Sequence, residues 1–477
     1  MIAYALSIPL LGALAIVAAS RWPNLRETVT LVTAVALFGV VATLYPEVAA
    51  GGRPALDLIE VLPGLSLAFE VEPLGMLFAL VASFLWIVTS VYAIGYMRGN
   101  NEANQTRFYA FFAVSLAAAV GIAFAANMFT LFVFYEVLTL ATYPLVTHAG
   151  TPKAKAGGRT YLGVLLGTSI AFLLVAIIWT WLLAGTLDFT EGGILTGRAS
   201  DGVLMVLLAL YMFGIGKAAL MPFHRWLPAA MVAPTPVSAL LHAVAVVKAG
   251  VFTVLKVVIY IFGIETLQQI GLWLAWVAAF TLIVASIVAL TKDNLKARLA
   301  YSTVSQLSYI VLGAALANAW SIVGSGMHIA MHAFGKITLF FCAGAIYVAA
   351  HKTEISDMDG IGRRMPITML AYLVGAIAVI GLPPTGGSWS KLYLMMGTLD
   401  AGQAALLWVL AASTLLNIAY LMPLAARGFL LPAKDGWAGG VAEAPMLCVI
   451  ALSLTALGTI ALFFCAGPVT DLMRMLT

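Results

Sequence analysis

Apolar residues fill this chain of 477 residues in runs that are long enough to cross a lipid bilayer. Hydrophobic side chains make up 63% of the sequence and charged ones 9%, whereas soluble domains carry about 25% charged residues. A helix that spans the hydrocarbon core needs about 20 consecutive apolar residues. The composition therefore excludes a soluble globular fold and predicts an all-α polytopic membrane protein.

Fourteen spans fit these runs. Their predicted positions are 2–19, 28–46, 73–97, 108–125, 127–147, 160–186, 203–233, 236–262, 269–291, 298–316, 321–349, 366–399, 404–426 and 444–467. The seventh and the twelfth are too long for simple spans, and each contains prolines that interrupt a helix. We expect one break near 220–230, at Pro222 and Pro228, and another near 381–387, in Gly-Leu-Pro-Pro-Thr-Gly-Gly.

The two interrupted spans are five spans apart, so they cross the membrane in opposite directions. Interrupted helices at corresponding places in two halves are typical of transporters built from inverted repeats. The sequence accordingly predicts peripheral helices over 1–107, a first five-helix repeat over 108–262, a second over 263–430, and a C-terminal helix within 431–477.

The distribution of basic residues predicts the orientation, because positively charged loops stay in the cytoplasm. With the N-terminus outside, sixteen of the 24 Lys and Arg residues lie in inner connections or at inner span ends, Lys434 among them. Only Arg53, Arg198 and Arg474 lie on the outer side. We therefore expect both termini to face outward.

Charged residues inside the apolar spans are the candidates for function. There are six of them: Glu136, Lys217, Lys248, Lys256, Lys336 and Lys391. A charge near the bilayer midplane costs at least ~2.5 kcal/mol, so it usually has a partner or a task. Lysine, unlike arginine, can lose its proton when buried. The set therefore indicates a path for protons.

Glu136 is the only acidic residue placed inside a predicted span, and we expect it to pair with Lys217, just before the first break. The alternatives are a static ion pair that fixes helix packing and a lysine that reaches the interface. Lys248 lies in the middle third of its span and cannot easily reach water. His242, six residues earlier, either extends a water-linked path or is a hydrogen-bonded core histidine.

His328, His332 and Lys336 follow one another at intervals of four residues, which places them in one stripe along a helix. A proton relay is the predicted use; buried hydrogen-bonded histidines and a zinc pair are the alternatives. Lys391, after the second break, is the predicted terminal site. Lys256 is either a further member of the row or an anchor near the outer interface.

Polar residues also recur along the tenth span, where they line a water-filled half-channel or join helices to one another. They are Ser302, Ser305, Gln306 and Tyr309. The sequence has no phosphate-binding lysine loop, no dinucleotide-binding glycine motif and no cysteine cluster. We therefore expect no redox or hydrolytic chemistry in this chain, no cofactor, no metal and no nucleic acid.

Three motifs resemble a known family. Residues 216–243, beginning Gly-Lys-Ala-Ala-Leu-Met-Pro, resemble the signature of the antiporter-like proteins shared by respiratory complex I, membrane-bound hydrogenases and Mrp-type multisubunit Na⁺/H⁺ antiporters, in which they are the A/D-type components. Residues 381–391 resemble the second broken-helix motif of that family, and Phe-Tyr-Glu at 134–136 its acidic helix. The resemblance covers roughly residues 70–430.

The resemblance implies a row of protonatable groups: Glu136 with Lys217, Lys248 at the centre and Lys391 at the end; His242 and His332 match positions where some members carry histidine. These two histidines, with His328 and Lys336 of the stripe, are the predicted auxiliary members of the relay. It implies a proton-translocating component of a multisubunit complex in the bacterial inner membrane. Partners would be other membrane subunits, H⁺, Na⁺ and the lipid bilayer. Mrp-type Na⁺/H⁺ antiport is the principal prediction. The alternatives are a proton-pumping component of a complex I-like NADH:quinone oxidoreductase or hydrogenase and, as a minor one, a stand-alone solute transporter.

Overall fold

The computed structural model describes residues 1–432 and 440–477, so Lys434 and part of the predicted segment 431–477 lie outside the described residues. Fourteen apolar helices, α1 to α14, account for most of it. They lie at Ile2–Ala18, Pro23–Ala49, Pro73–Gly99, Gln105–Ala123, Met128–Val146, Pro152–Ala184, Asp201–Gly214 with Trp226–Ala229, Val237–Phe262, Leu272–Thr291, Leu295–Leu316, Ala319–Ala350, Pro366–Ile380 with Gly387–Asp400, Ala404–Leu430 and Met446–Phe464.

Among the described residues, eleven of these helices are long and apolar enough to cross a membrane, and α1 and the first halves of α7 and α12 are shorter apolar helices. The predicted fold, about fourteen membrane helices of which two are broken, is confirmed. The division into units at 108–262 and 263–430 stays a prediction.

Helix starts follow from local chemistry, because the first N–H groups of a helix need acceptors. Asn127 begins α5 by accepting a hydrogen bond from the amide of Thr130, and Thr151 begins α6 in the same way. At the start of α11, Asn318 and Ser321 satisfy each other's amides in a capping box. These caps fix where the long helices begin.

Burial separates central helices from peripheral ones. All residues in the most apolar stretch of α8 are buried, as are 94% in α10, whereas in α2, α6, α13 and α14 the share is 33%. The exposed apolar faces of those four are the ones that a bilayer would cover. Lys248 and Lys256 therefore lie on the most enclosed helix of the chain.

Two features of the fold are absent from the sequence prediction. Strands β1 (Ala55–Leu62) and β2 (Leu65–Glu70) form an antiparallel hairpin between α2 and α3. Both α6 and α8 contain π-helical turns, at Ser169–Leu173 in the first and at both ends of the second. Such turns widen a helix locally and often occur at functional sites.

Short helical segments complete the described structure. A helix at Ile264–Ile270 joins α8 to α9, and Ile361–Arg364 precedes α12. A last helix, α15 (Gly467–Arg474), follows α14 and packs against α11 and α3.

Candidate functional site

The first break places a buried lysine in a turn. The first half of helix α7 ends at Gly214. A single 3₁₀ turn then covers Gly216–Ala218, and Ala219 adopts a left-handed conformation with φ of 56°. Lys217 lies in this turn and is completely buried. The sequence places it on the helix just before the break; the structure places it inside the break, where the backbone is free of α-helical hydrogen bonding.

Lys217 is held by helix α5. Its Nζ donates to the backbone oxygen of Tyr135 over 2.8 Å and to Oγ1 of Thr139 over 2.6 Å. The same ammonium lies 3.2 Å from the centroid of the Tyr135 ring, where a cation is attracted to the π face. The Tyr135 hydroxyl in turn accepts the amide of Lys217 over 3.1 Å. Two α5 residues therefore position this group.

Glu136 does not form the expected ion pair. Among the described residues, neither of its carboxylate oxygens has a hydrogen-bond partner, and Lys217 bonds Tyr135 and Thr139 instead of Glu136. The reason is local: the Lys217 side chain is already bound to Tyr135 and Thr139, which flank Glu136 on α5. The carboxylate still acts on Lys217 through longer-range Coulombic attraction.

A glycine brings the Lys217 turn against the central helix. On α8, a Cβ at Gly250 would overlap the backbone atoms of Lys217 and Ala218. Only glycine permits this approach, because any side chain would push the turn away. The turn therefore lies directly on α8 two residues from Lys248.

Lys248 continues the row onto α11. Its Nζ lies 2.5 Å from Nδ1 of His332, and both side chains are buried. The ring of His332 stacks on that of His328, with centroids 5.5 Å apart. His328 Nδ1 then bonds Oγ of Ser390 on the second half of α12, over 2.9 Å. Lysine, two histidines and a serine thus form one sequence of neighbours.

Lys391 directly follows Ser390 and lies at the second break. Its Nζ donates over 2.9 Å to the backbone oxygen of Ile380, the last residue of the first half of α12. Carbonyls at a helix C-terminus lack intrahelical partners and carry partial negative charge, so they suit an ammonium group. The ring of Tyr309 lies 4.5 Å from the same ammonium. Lys391 is therefore held at the break itself.

Lys336 forms a side branch of the row. It donates to Oγ of Ser302 over 2.6 Å, and the hydroxyl of Tyr420 donates to the same oxygen over 2.9 Å. The polar residues of α10 therefore have two different roles. Ser302 serves Lys336, whereas Ser305 bonds Ser286 on α9 and joins two helices.

His242 lies on α8, six residues before Lys248, among aromatic side chains. Its ring contacts those of Tyr161 and Trp226, with centroids 6.2 and 6.3 Å away. Trp226 donates to the backbone oxygen of Gly216 in the Lys217 turn. Neither ring nitrogen of His242 has a partner among the residues that the structure describes. Trp226 therefore links the histidine to the turn that holds Lys217, and among the described residues no direct bond joins His242 to Lys248.

Lys256 is not an interfacial anchor. It is 1% exposed and forms an ion pair with Glu72 over 3.3 Å, and Tyr260 donates to the other Glu72 oxygen over 3.0 Å. Sequence reasoning missed Glu72 because it stands one residue before the predicted third span. The sequence does carry a signal for Glu72, because a polar residue followed by proline commonly begins a helix.

The arrangement suits proton transfer. Buried lysine, histidine and serine side chains follow one another, joined by the bonds from Lys248 to His332 and from His328 to Ser390 and by ring stacking between the two histidines. In the described part of the chain, no group of three His, Cys, Asp or Glu residues could hold a metal ion. The two histidines of the stripe instead use their Nδ1 atoms for Lys248 and Ser390.

A family model described as NADH:quinone oxidoreductase/Mrp antiporter, TM, matches residues 125–417, which include all eight predicted site residues. The chain belongs to this family. The N subunit of NADH-quinone oxidoreductase from Desulforudis audaxviator is 34% identical over 378 residues, which cover 77% of this chain and 74% of that protein. The resemblance inferred from the sequence motifs is confirmed.

Other members of the family differ in their assemblies. NAD(P)H-quinone oxidoreductase chain 5 of Synechocystis sp. is 30% identical over 80% of this chain. The A/B subunit of a probable K⁺/H⁺ antiporter of Rhizobium meliloti is 31% identical over 75%. The chain spans only 56% and 36% of their lengths.

Two solved structures share the fold over the whole chain. A chain of the Mrp complex from Dietzia sp. DQ12-45-1b superposes with a TM-score of 0.89 at 22% identity and is covered over 96% of its length. A chain of the membrane-bound sulfane sulfur reductase, an archaeal respiratory membrane complex, gives 0.88 at 23% identity, also over 96% of its length.

Proposed function

We propose that the chain translocates protons as one component of a multisubunit membrane complex. The observation that carries the proposal is a row of buried neighbours: Lys248 bonds His332, the ring of His332 stacks on His328, and His328 bonds Ser390, which directly precedes Lys391. Four protonatable groups in an apolar interior are costly unless they are used, because each charge there lacks water. Their order along neighbouring helices is what a transfer path requires.

The proposed route begins at the broken helix α7 and ends at the broken helix α12. A proton taken up near His242 reaches Lys217, crosses the Gly250 contact to Lys248 and passes along the histidine stripe to Lys391. Two neighbouring ammonium groups repel one another, so arrival of a proton at one favours its departure from the next. His328 and His332, predicted from the sequence to be auxiliary, are on this route the main link.

Glu136 acts in the proposal as a distant counter-charge. Its carboxylate attracts the proton on Lys217 without binding it, so a movement of Glu136 changes the hold on that proton while the contacts to Tyr135 and Thr139 persist. A partner protein that approaches α5 could supply such a movement, because Val137 and Leu140 beside Glu136 are exposed.

Within this proposal the complex is a cation/proton antiporter of the Mrp type, in the bacterial inner membrane, and both termini of the chain lie outside. The support is the 31% identity with one component of a K⁺/H⁺ antiporter and the fold shared with a chain of an Mrp complex. The coupling cation is then Na⁺ or K⁺. A redox-driven quinone oxidoreductase is the second candidate, and the 34% identity with an NADH-quinone oxidoreductase component favours it.

Transport by lysine variants tests proton translocation. The complex that contains this chain is purified, reconstituted in liposomes and given a Na⁺ or K⁺ gradient, or its quinone substrate, while a dye reports internal pH. Lys217→Ala and Lys248→Ala should abolish proton movement although the complex assembles. The control is Lys153→Ala, an exposed residue at the start of α6. Undiminished transport by both buried variants would refute the proposal.

The proteins that co-purify with the chain decide between the two assemblies. Flavin or iron–sulfur proteins would assign it to a redox-driven complex, whereas small membrane proteins alone would assign it to an antiporter. In the second case, proton movement should follow an imposed cation gradient without any electron donor.

A further inference from the structure

A second ionisable cluster lies apart from the row of lysines. Glu72, Lys256 and Tyr260 are exposed by 2%, 1% and 3%, and the carboxylate bonds both partners, one through each oxygen. The rings of Phe189 and Tyr260 lie 4.1 and 4.5 Å from the lysine ammonium. The site is thus a charged pair enclosed by aromatic side chains.

One member of this cluster, Tyr260, lines a surface cavity. A cavity of about 590 Å³ is lined by Tyr260, by the acidic residues Glu191 and Glu265, and by residues 475–477. The Glu191 side chain is 80% exposed, so the cavity opens to the surface. Tyr260 is the residue common to both: it lines the cavity and its hydroxyl donates to Glu72. Tyr260 therefore links the cavity to the buried carboxylate.

Charged residues around the cluster come from three other elements. Arg53, before β1, lies close to Tyr260 and pairs with Glu191 over 2.9 Å and with Glu70 of β2 over 3.7 Å. The acidic groups at the rim outnumber this one arginine. A cation, including a hydrated proton, is accordingly concentrated at the cavity mouth.

A static role explains the cluster poorly. A buried ion pair often contributes little net stability, because desolvation of both charges offsets their attraction. Glu72 also begins α3 by accepting the amides of Leu74 and Gly75, a task that an uncharged Asn or Ser performs as well. A purely structural role therefore explains neither the charges of Glu72 and Lys256 nor the neighbouring surface cavity.

We propose that Glu72, Lys256 and Tyr260 form a proton-exchange site that connects this cavity with the central lysine row. The inference rests on the proposed function and adds to it an access route besides Lys391. Lys256 and Lys248 both lie on α8, eight residues or about 12 Å apart along the helix axis. Thr253, a buried hydroxyl residue, stands between them.

The transfer is balanced in protons and involves no redox change. Hydrated protons in the cavity protonate the Tyr260 oxygen as its own hydroxyl proton moves to the Glu72 carboxylate. The carboxylic acid no longer offsets the ammonium of Lys256, so that group releases its proton toward Lys248. The Glu72 carboxylic acid then passes its proton to the neutral amine of Lys256 across their 3.3 Å contact, which restores the ion pair. One proton has then entered from the cavity and one has left along α8.

Hydroxyl deletion at Tyr260 gives the most direct test. Tyr260→Phe keeps the aromatic ring beside Lys256 and removes only the bond to Glu72. In liposomes that contain the whole complex, its proton transport should fall about tenfold, the effect of losing a hydrogen bond to a charged group. The matched control is Tyr211→Phe in α7, outside the cluster, which removes a buried hydroxyl that bonds Thr180 of α6. Wild-type transport by Tyr260→Phe, or an equal loss in the control, would overturn the proposal.

A charge-neutral double variant separates relay from packing. Glu72→Gln with Lys256→Met keeps an amide oxygen that can accept at the start of α3 and removes both charges together. A relay predicts normal assembly, at least about a tenfold loss of transport, and a rate that no longer depends on pH in the compartment facing the cavity. A static pair predicts unchanged transport and an unchanged pH profile.

The lysine variants keep this test independent of the proposed function. If Lys217→Ala abolishes transport while the double variant and Tyr260→Phe transport at the wild-type rate, only the exchange site is refuted. If Lys217→Ala and Lys248→Ala both transport normally, the proposed function itself fails.

Discussion

Lys248 on α8 and His332 on α11 lie nitrogen to nitrogen at 2.5 Å, both shielded from solvent, and this contact joins the helix that packs on the first break to the helix that reaches the second. The imidazole has a second nitrogen, Nε2, with no partner among the described residues. An imidazole can accept a proton at one nitrogen and release one at the other, so this pair is suited to transfer as well as to binding.

Replacement of His332 by glutamine should separate these two roles. The amide oxygen of His332→Gln can accept a bond from Lys248, but the side chain cannot carry a proton through. We expect an assembled complex whose proton transport falls at least about tenfold. His332→Leu removes the acceptor and should also destabilise the protein by about 1–3 kcal/mol, because Lys248 is left buried without a partner.

His351→Gln, at the exposed end of the same helix, is the control for this substitution. Transport and the midpoint of thermal unfolding in detergent are measured for all three variants. Normal transport by His332→Gln would show that the histidine only binds the lysine.

The hydroxyl of Thr139 should matter more than its size. Thr139→Val keeps the shape of the side chain and removes the acceptor that lies 2.6 Å from Lys217. A hydrogen bond to a charged group contributes about 1.5–3 kcal/mol, so transport should fall by one to two orders of magnitude. Thr89→Val, whose buried hydroxyl bonds only the backbone of its own helix α3, should leave transport unchanged. Initial rates of internal pH change in liposomes are the measurement.

Span positions could be predicted from the sequence because each depends on local composition. A run of apolar residues must be helical in a bilayer, and clustered prolines and glycines, as at 381–387, interrupt such a run, whereas the single prolines Pro144 and Pro423 remain inside helices. The four-residue spacing of His328, His332 and Lys336 fixes a common face for the same reason. These features need no knowledge of what the helices contact.

The contacts within the site could not be predicted in this way. Lys256 finds its partner Glu72 184 residues away along the chain, and no local pattern reports such a pairing. The expected contact between Glu136 and Lys217 is wrong because two neighbours on α5, Tyr135 and Thr139, supply acceptors that only the packed structure brings to the lysine.

The hairpin between α2 and α3 could have been predicted from the sequence. Two short runs rich in Leu, Ile, Val and Phe, at 55–62 and 65–70, are separated by Pro63 and Gly64, which is a common turn signal. The segment is too short to span a membrane, so a prediction based on membrane spans leaves it as a connection.

Glu136→Gln should change transport without changing stability. No hydrogen bond or ion pair of the described residues is lost, so the free energy of unfolding should change by less than about 0.5 kcal/mol. Transport should decrease, because the negative charge that attracts the proton on Lys217 is removed. Breaking a buried ion pair costs about 3–5 kcal/mol. A stability loss of that size in the assembled complex would mean that Glu136 and Lys217 do pair there.

Gly250→Ala should uncouple the first break from the central helix. The added methyl group would occupy the space of the Lys217 carbonyl carbon and the Ala218 nitrogen, which are backbone atoms and cannot rotate away. The turn must then move off α8, and overpacking of this kind costs about 1–3 kcal/mol. Because the displaced turn carries Lys217, proton transport should fall even in protein that remains folded, so the loss of stability alone should not explain the loss of transport.

Gly167→Ala provides the matched control for Gly250→Ala, since Gly167 lies in α6 with nothing within 4 Å of its Cβ position. Alanine is the better helix former by up to about 1 kcal/mol, so this variant should be as stable as the wild type or more so, with unchanged transport. Thermal unfolding and transport rates of the two variants are compared side by side. If Gly250→Ala transports like Gly167→Ala, close packing of the Lys217 turn on α8 is not required for passage of protons between Lys217 and Lys248.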